Sequence, residues 1–289
     1  MRLGLFLGVR APQFSPQLIQ RLAQGAEERG FAALWVGEHV VLFDSHDSKY
    51  PYAPDGEFPI TDESGLAEPF TTLAFLAAAT STIRIGTAIY LVPQRNPLYT
   101  AKEVANLDWL SGGRFEFGIG VGWLREEFDA LQLPFDDRGR RNDEYIDVMR
   151  TLWCDDVSSF DGEFWTLSAC RAYPKPVQAP HPPIHIGGES DIALRRVARL
   201  GAHWLPFNAA PSAIAAGRAR LADILAEVDP ERSIDDVRIT ATPSRDHFRP
   251  EHASAYADAG VEQLVLHLPR HLSIDDADRF LDQAAAHCG

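Results

Sequence analysis

The sequence is poor in cysteine and methionine, with three and two among 289 residues, and it is short of positive charge. Each shortage excludes something. Cys154, Cys170 and Cys288 are odd in number and far apart, so they offer neither a disulfide framework nor a CxxC zinc site, and a set of this kind fits a reducing, cytoplasmic compartment. Lysines and arginines number 27 against 41 acidic residues, a formal charge of -14, which argues against binding nucleic acid or an anionic membrane by neutralising phosphates. A phosphorylated ligand therefore needs a local site. No run approaches about 18 consecutive apolar residues, so no membrane span is expected. The opening RLGLFLG is a strand pattern, without the basic stretch, apolar run and small-residue cleavage site of an export signal. There is no GxSxG elbow, and no cysteine has the context of a nucleophile, which leaves serine and thiol hydrolases unsupported.

What is present is an ordinary globular composition, 45% hydrophobic and 24% charged, able to bury a core and read as one domain over residues 1–289. Short apolar runs recur at Leu3–Leu7, Ala33–Val36, Ile83–Leu91, Phe115–Ile119, Ile184–Ile186, Trp204–Phe207, Val237–Thr240 and Gln263–Leu268. Helical spacing fills the gaps. One helix opens at Ser15 with Pro16 in the first turn and stops at Gly30; another follows Asn96 and is closed by Gly112 and Gly113. SDIALRRVARLG is a third, and a last helix is expected from about Ser273 onward. Strands apolar on both faces, alternating with amphipathic helices, specify a parallel sheet covered by helices, and eight of them favour a closed α/β barrel over an open doubly wound sheet. Two stretches break the rhythm. Leu42–Ala67, rich in proline, glycine and acids, reads as a lid or binding loop, with an inert surface excursion as the alternative. Val157–Pro183 reads as an insertion containing a hairpin that turns at Asp161 and Gly162.

In such a barrel, chemistry belongs at the carboxyl ends of the strands. LWVGEHVV puts Glu38 and His39 there on the second strand, and a histidine in that position can move a proton near neutral pH. Neighbours on an extended strand face opposite ways, so only one of the two should reach a pocket unless the chain turns at Gly37. FEFGIGVGW spaces Gly118, Gly120 and Gly122 wrongly for a GxGxxG fingerprint. Those glycines suit either close approach of a flat ring or tight packing at the barrel rim. In PPIHIGGESDIALRR, Gly187 and Gly188 end a strand and Ser190 caps the next helix, an arrangement that attracts a phosphate or carboxylate or serves only as a cap. His181 and His185 have metal-like spacing, but Pro182 and Pro183 between them forbid a helical pair, and no metal site is expected.

GFAALWVGEHV, TSTIRIGTAIYLVPQRNPLYTAKEVANLDWLSGGRFEFGIGVGW, REEFDALQLPFDDRGRRNDEYIDVMRTLW and PPIHIGGESDIALRRVARLGAHW together resemble the bacterial luciferase-like family, especially its coenzyme F420-dependent oxidoreductases. The resemblance implies a (β/α)8 TIM barrel with an insertion, usually a homodimer, holding F420 or, alternatively, FMN at the carboxyl ends of the strands. It implies His39 as the proton-transferring residue and Glu38 as a cofactor contact. It places a non-proline cis peptide at Ala88–Ile89 behind the ring, Gly120, Val121, Gly122 and Trp123 beside it, and Gly187, Gly188, Glu189 and Ser190 at its phosphate. Trp123 stands where sugar-phosphate dehydrogenases of the family carry a catalytic glutamate, which leaves reduction of an activated double bond or a monooxygenase reaction as the better matches. A non-catalytic cofactor-binding protein is the remaining alternative, and the substrate is a small organic molecule of unspecified kind.

Overall fold

The computed structural model describes residues 1–8, 10–11, 14–53, 55–58, 65–244, 248, 250–269 and 271–286. Eight parallel strands follow the chain around a barrel: β1 (Arg2–Phe6), β2 (Ala33–Val36), β3 (Arg84–Thr87), β4 (Phe115–Gly120), β5 (Ile184–Gly187), β6 (His203–Leu205), β7 (Thr240–Ala241) and β8 (Gln263–His267). Continuous pairing runs from β6 back through β1 to β8 and β7. Parallel bridges Trp204–Ile239 and Phe207–Thr242 join β6 to the segment of β7, so the sheet closes on itself. All eight apolar runs supply a strand, with two adjustments. Ile83–Leu91 divides into β3 and a short strand Tyr90–Leu91 that pairs with β4, because the chain turns between them at a cis Ala88–Ile89 peptide. In the seventh run the regular strand is Thr240–Ala241, preceded by the isolated bridge at Ile239, and the Arg238 side chain reaches Glu116 in the barrel.

The helices lie where capping chemistry starts and stops them. In α1 (Pro16–Glu28) the Ser15 hydroxyl accepts the Leu18 N–H at 3.2 Å. In α3 (Pro97–Leu110) Asn96 does the same for Leu98 and Tyr99, and Gly112 and Gly113 follow at φ 68° and 81°, a left-handed conformation that favours glycine. In α6 (Asp191–Arg199) the Ser190 hydroxyl accepts the Ala193 N–H. The remaining helices that matter below are α2 (Pro69–Ala79), α4 (Arg125–Ala130) and α5 (Arg138–Cys154). The last helix forms over Ala277–Ala286, while Cys288 and the residues around it lie outside the described set. Ser158–Asp161 and Thr166–Cys170 form the expected hairpin, with a longer turn than Asp161–Gly162 alone. That turn is held because the Glu144 carboxylate of α5 accepts the N–H groups of Glu163, Phe164 and Trp165. Among the described residues, no helix is long and apolar enough to cross a membrane.

Alternation along the strands divides two cores. Leu34 and Val36 of β2 join the large apolar layer between barrel and helices, whereas Ala33 and Trp35 face the barrel interior with Val265, Phe6 and Ala88. The lower half of that interior is polar and occupied. Trp35 donates its ring N–H to Gln263 at 2.9 Å, and Glu116 is bound by His185, Arg84 and Arg238. With the amino end of the barrel plugged, open space is left at the carboxyl ends of the strands.

Candidate functional site

That space is a cavity of about 570 Å³ lined from β1, β2, β4, β5, β6 and the segments that follow them. The volume falls within the range of roughly 300–1,000 Å³ common to small-ligand sites. Glu38 and His39 both line it, just past the end of the strand at Val36. They are not equivalent there. The Glu38 carboxylate accepts the Leu91 N–H at 2.6 Å and is paired with Arg95, so its oxygens are engaged by the protein in holding the segment after β3. His39 points Nδ1 at the Glu127 carboxylate, 3.1 Å away. Among the described residues, its Nε2 has no hydrogen-bond partner.

Glu127 comes from the first turn of α4, and the neighbouring Glu126 shares in the same task. Glu127 Oε1 accepts Val40 N–H at 2.7 Å and Val41 N–H at 3.3 Å, while Glu126 Oε1 accepts the N–H groups of Asp47 and Ser48. Two adjacent carboxylates thus fasten the segment leaving β2. Acids in a first helical turn are ordinarily read as complementing the helix dipole, which hid this role in the sequence. Burial would raise Glu127, but the hydrogen bonds from His39, Gln94 and Val40 hold it below the usual carboxylate range.

Ala88 and Ile89 form one wall of the cavity, and the glycines of β4 explain how they fit. A Cβ on Gly118 would lie 1.9 Å from the Thr87 carbonyl oxygen, and one on Gly120 would lie 2.0 Å from the end of the Ile89 side chain. These glycines make room for protein atoms, which is the rim-packing alternative, while Gly120, Val121, Gly122 and Trp123 still line the cavity. Trp123 sits in a ring of edge-on aromatic contacts: centroids 5.8 Å from His39, 5.3 Å from Tyr50 and 5.6 Å from His46, with Phe58 tilted at 5.5 Å. Tyr50 and Phe58 belong to the long loop Leu42–Ala67, so the described part of that loop covers the cavity with aromatic rings; its residues 54 and 59–64 lie outside the described set.

The opposite end is polar and cationic. Gly187, Gly188 and Ser190 line it at the amino end of α6, and the Gly188 carbonyl is fixed by the Trp204 ring N–H at 2.9 Å. Glu189 does not line the cavity; its carboxylate turns away to accept the Phe207 N–H at 3.0 Å, and burial raises it. Arg138, Asn142 and Arg196, none of them signalled by a motif, line the same cavity. Arg138 is held by the carbonyls of Gly122 and Phe135, and Arg196 by Asp143 and the Gly139 carbonyl. Burial and then the nearby Arg125 lower Arg138, with Arg196 adding to the effect, so the cluster favours an anion. Asn142 Oδ1 is buried without a partner. His181 and His185 do not come together: His181 packs on Trp153, whereas His185 is inside the barrel against Trp35 and Glu116. Among the described residues, no group of three or more His, Cys, Asp or Glu side chains is placed to hold a metal.

Comparison with known proteins agrees with this architecture. The family model described as luciferase-like monooxygenase matches residues 1–287. One uncharacterised protein of Mycobacterium tuberculosis is 30% identical over 287 residues, 99% of this chain and 98% of that protein. Another is 35% identical over 178 residues, 62% of this chain and 61% of that protein. The FMNH2-dependent dimethylsulfone monooxygenase of Pseudomonas putida is 35% identical over 136 residues, 46% of this chain and 37% of its own length. Among solved structures, the monooxygenase RslO1 from Streptomyces bottropensis superposes with a TM-score of 0.80 at 20% identity, covering 100% of this chain and 98% of that one. An F420-dependent secondary alcohol dehydrogenase, in complex with an F420-acetone adduct, gives 0.76 at 18% identity, covering 97% of each chain.

Proposed function

Since the chain belongs to the luciferase-like monooxygenase family, whose members are oxidoreductases and monooxygenases, we propose that it is an oxidoreductase binding coenzyme F420 and exchanging a hydride with an organic substrate, with His39 carrying the accompanying proton. The observation that carries this reading is the position of His39: its ring lines a cavity at the carboxyl ends of the barrel strands, with one nitrogen tied to a buried carboxylate and the other left for a ligand. The residues present fit a phosphorylated, flat-ringed cofactor. Backbone at Gly187–Gly188, the amino end of α6, the two arginines and Asn142, whose Oδ1 is buried without a partner while its Nδ2 donates to Asp143, line the cavity together. Ala88, Ile89 and Gly120 give the adjoining stretch a backbone-rich, uncharged wall suited to a ring. Bound there, F420 would supply the hydride donor or acceptor, and the protein supplies orientation and proton transfer. The aromatic cover formed by Trp123, Tyr50 and Phe58 excludes water from the ring and suits an apolar, planar substrate.

The choice of F420 rests on the overall resemblance of the sequence quoted above. The FMNH2-dependent relative from Pseudomonas putida supports a second reading, a flavin-dependent monooxygenase with the same site. Titration of the purified protein with F420 and with FMN separates them. F420 is expected to bind and to be reduced or oxidised with substrate; stoichiometric FMN binding with no F420 binding, accompanied by oxygen uptake, sinks the first reading and supports the second.

The anion end is tested separately. Arg138→Met is expected to weaken the phosphorylated cofactor by about tenfold or more, the worth of a charge-assisted hydrogen bond. The same chromophore lacking its phosphate should bind the variant and the parent alike. Equal losses for both ligands would show that Arg138 acts on the fold, through Gly122 and Phe135, and does not bind the phosphate.

A further inference from the structure

We infer that Glu127 is a positioning residue for His39, fixing the imidazole as the Nδ1–H tautomer so that Nε2 presents its lone pair to the cavity. This rests on the proposed role of His39 and adds to it a second residue, 88 positions away in the chain, that no motif places beside it. Glu127 is fully buried, and four donors converge on its carboxylate: the N–H groups of Val40 and Val41 at Oε1, and Gln94 Nε2 at 3.0 Å together with His39 Nδ1 at 3.1 Å at Oε2. An ionised carboxylate only accepts hydrogen bonds, so the shared proton must sit on Nδ1. The Gln94 amide reports the same polarity: it turns its N–H toward Glu127 and leaves its own Oε1 buried without a partner, the orientation that an acceptor at Glu127 imposes.

Two consequences follow for the reaction. In this tautomer His39 offers Nε2 to the ligand as a base, and a proton taken up there yields an imidazolium whose charge lies against a carboxylate already desolvated in place. The bonds to Val40 and Val41 fix the backbone that carries the ring, so the same side chain sets both the tautomer and the position of Nε2. Glu127→Gln keeps a carbonyl oxygen for the backbone donors but offers an amide N–H where Oε2 stood. Gln94 can rotate to accept from that amide through its free Oε1, and His39 Nδ1 must then become an acceptor.

The test is long-range 1H–15N correlation on the 15N-labelled protein above the pH at which histidine is protonated, with the His39 signals assigned by their loss in His39→Gln. The wild type is expected to carry its proton on Nδ1, and Glu127→Gln is expected to move it to Nε2. Turnover should fall about tenfold or more in kcat, with cofactor affinity unchanged. A wild type protonated on Nε2 overturns the inference, and that measurement needs no variant. A Glu127→Gln protein that keeps the wild-type tautomer overturns it as well, and tautomer reversal without any change in kcat overturns the role in the reaction. Because the tautomer is read in the protein alone, failure of His39 as the proton carrier would appear in His39 variants and not in this spectrum.

Discussion

Replacing His39 with alanine is expected to lower turnover by roughly 10²-fold or more, the usual contribution of a positioned general acid or base, while leaving cofactor affinity within about twofold. The expectation follows from what the ring touches. Its edge contacts to Phe58 at 4.9 Å and Trp123 at 5.8 Å belong to the cover over the cavity, whereas the groups proposed for the phosphate are Gly187, Gly188, Ser190, Arg138 and Arg196. An interaction made only in the transition state lowers kcat and kcat/KM together, and that joint fall is the signature to look for. Steady-state rates measured with whichever cofactor binds supply the test. If His39→Ala turns over at a rate within about threefold of the parent, His39 takes no part in proton transfer, since even a modest general catalyst contributes more than that. A protein that binds cofactor and shows no activity on any substrate, with or without His39, would instead support the non-catalytic binding reading.

The barrel was legible because each strand is buried on both faces, so the eight apolar runs stand out against the amphipathic helices between them. Caps were legible for a related reason: Ser15, Asn96 and Ser190 act on residues two or three positions away, and local chemistry is written locally. The site was legible only at strand ends, where Gly120 and Gly187 close their strands and Glu38 and His39 follow theirs. Contacts between distant segments were not. Glu127, Arg138 and Arg196 carry no motif, and nothing in the sequence set Glu127 beside His39 or either arginine in the cavity with Ser190. Glu38 and Glu189 illustrate the converse, since each stands where a ligand contact was expected and each directs its carboxylate to backbone N–H groups of the protein. Which of two ends a side chain serves is decided by the packing of strand ends against α4, α5 and α6, and a single chain does not encode that in its spacing. His185 is the clearest case: weighed as a metal ligand from its distance to His181, it is a buried partner of Glu116.

That partnership supports the second large effect. Glu116→Ala is expected to cost about 3–5 kcal/mol of unfolding free energy, because it strands charges that Glu116 now compensates inside the barrel. Glu116 is bound to His185, to Arg84, and to Arg238 through two contacts of 3.1 Å, and burial alone would raise its pKa. Those partners prevail and hold it well below the usual carboxylate range, so it is ionised in the fold. His203 extends the network: its Nδ1 accepts the Arg238 backbone N–H at 3.2 Å, and burial, then His185 and Arg238, lower it from 6.5 to about 3. Both folded-state values lie below the unfolded ones, so the unfolded chain takes up protons first and stability falls as the pH is lowered. The decline should begin near pH 6.5 through His203 and steepen below about 4.5 as Glu116 adds its share. Urea unfolding of both proteins across this range checks the argument. The gap between wild type and Glu116→Ala should narrow below about pH 4.5, where the carboxylate is losing its advantage, while the decline from pH 6.5 persists in both. A variant whose unfolding midpoint matches the parent at neutral pH, or a gap that widens in acid, would show that Glu116 does not carry the charge of the barrel interior.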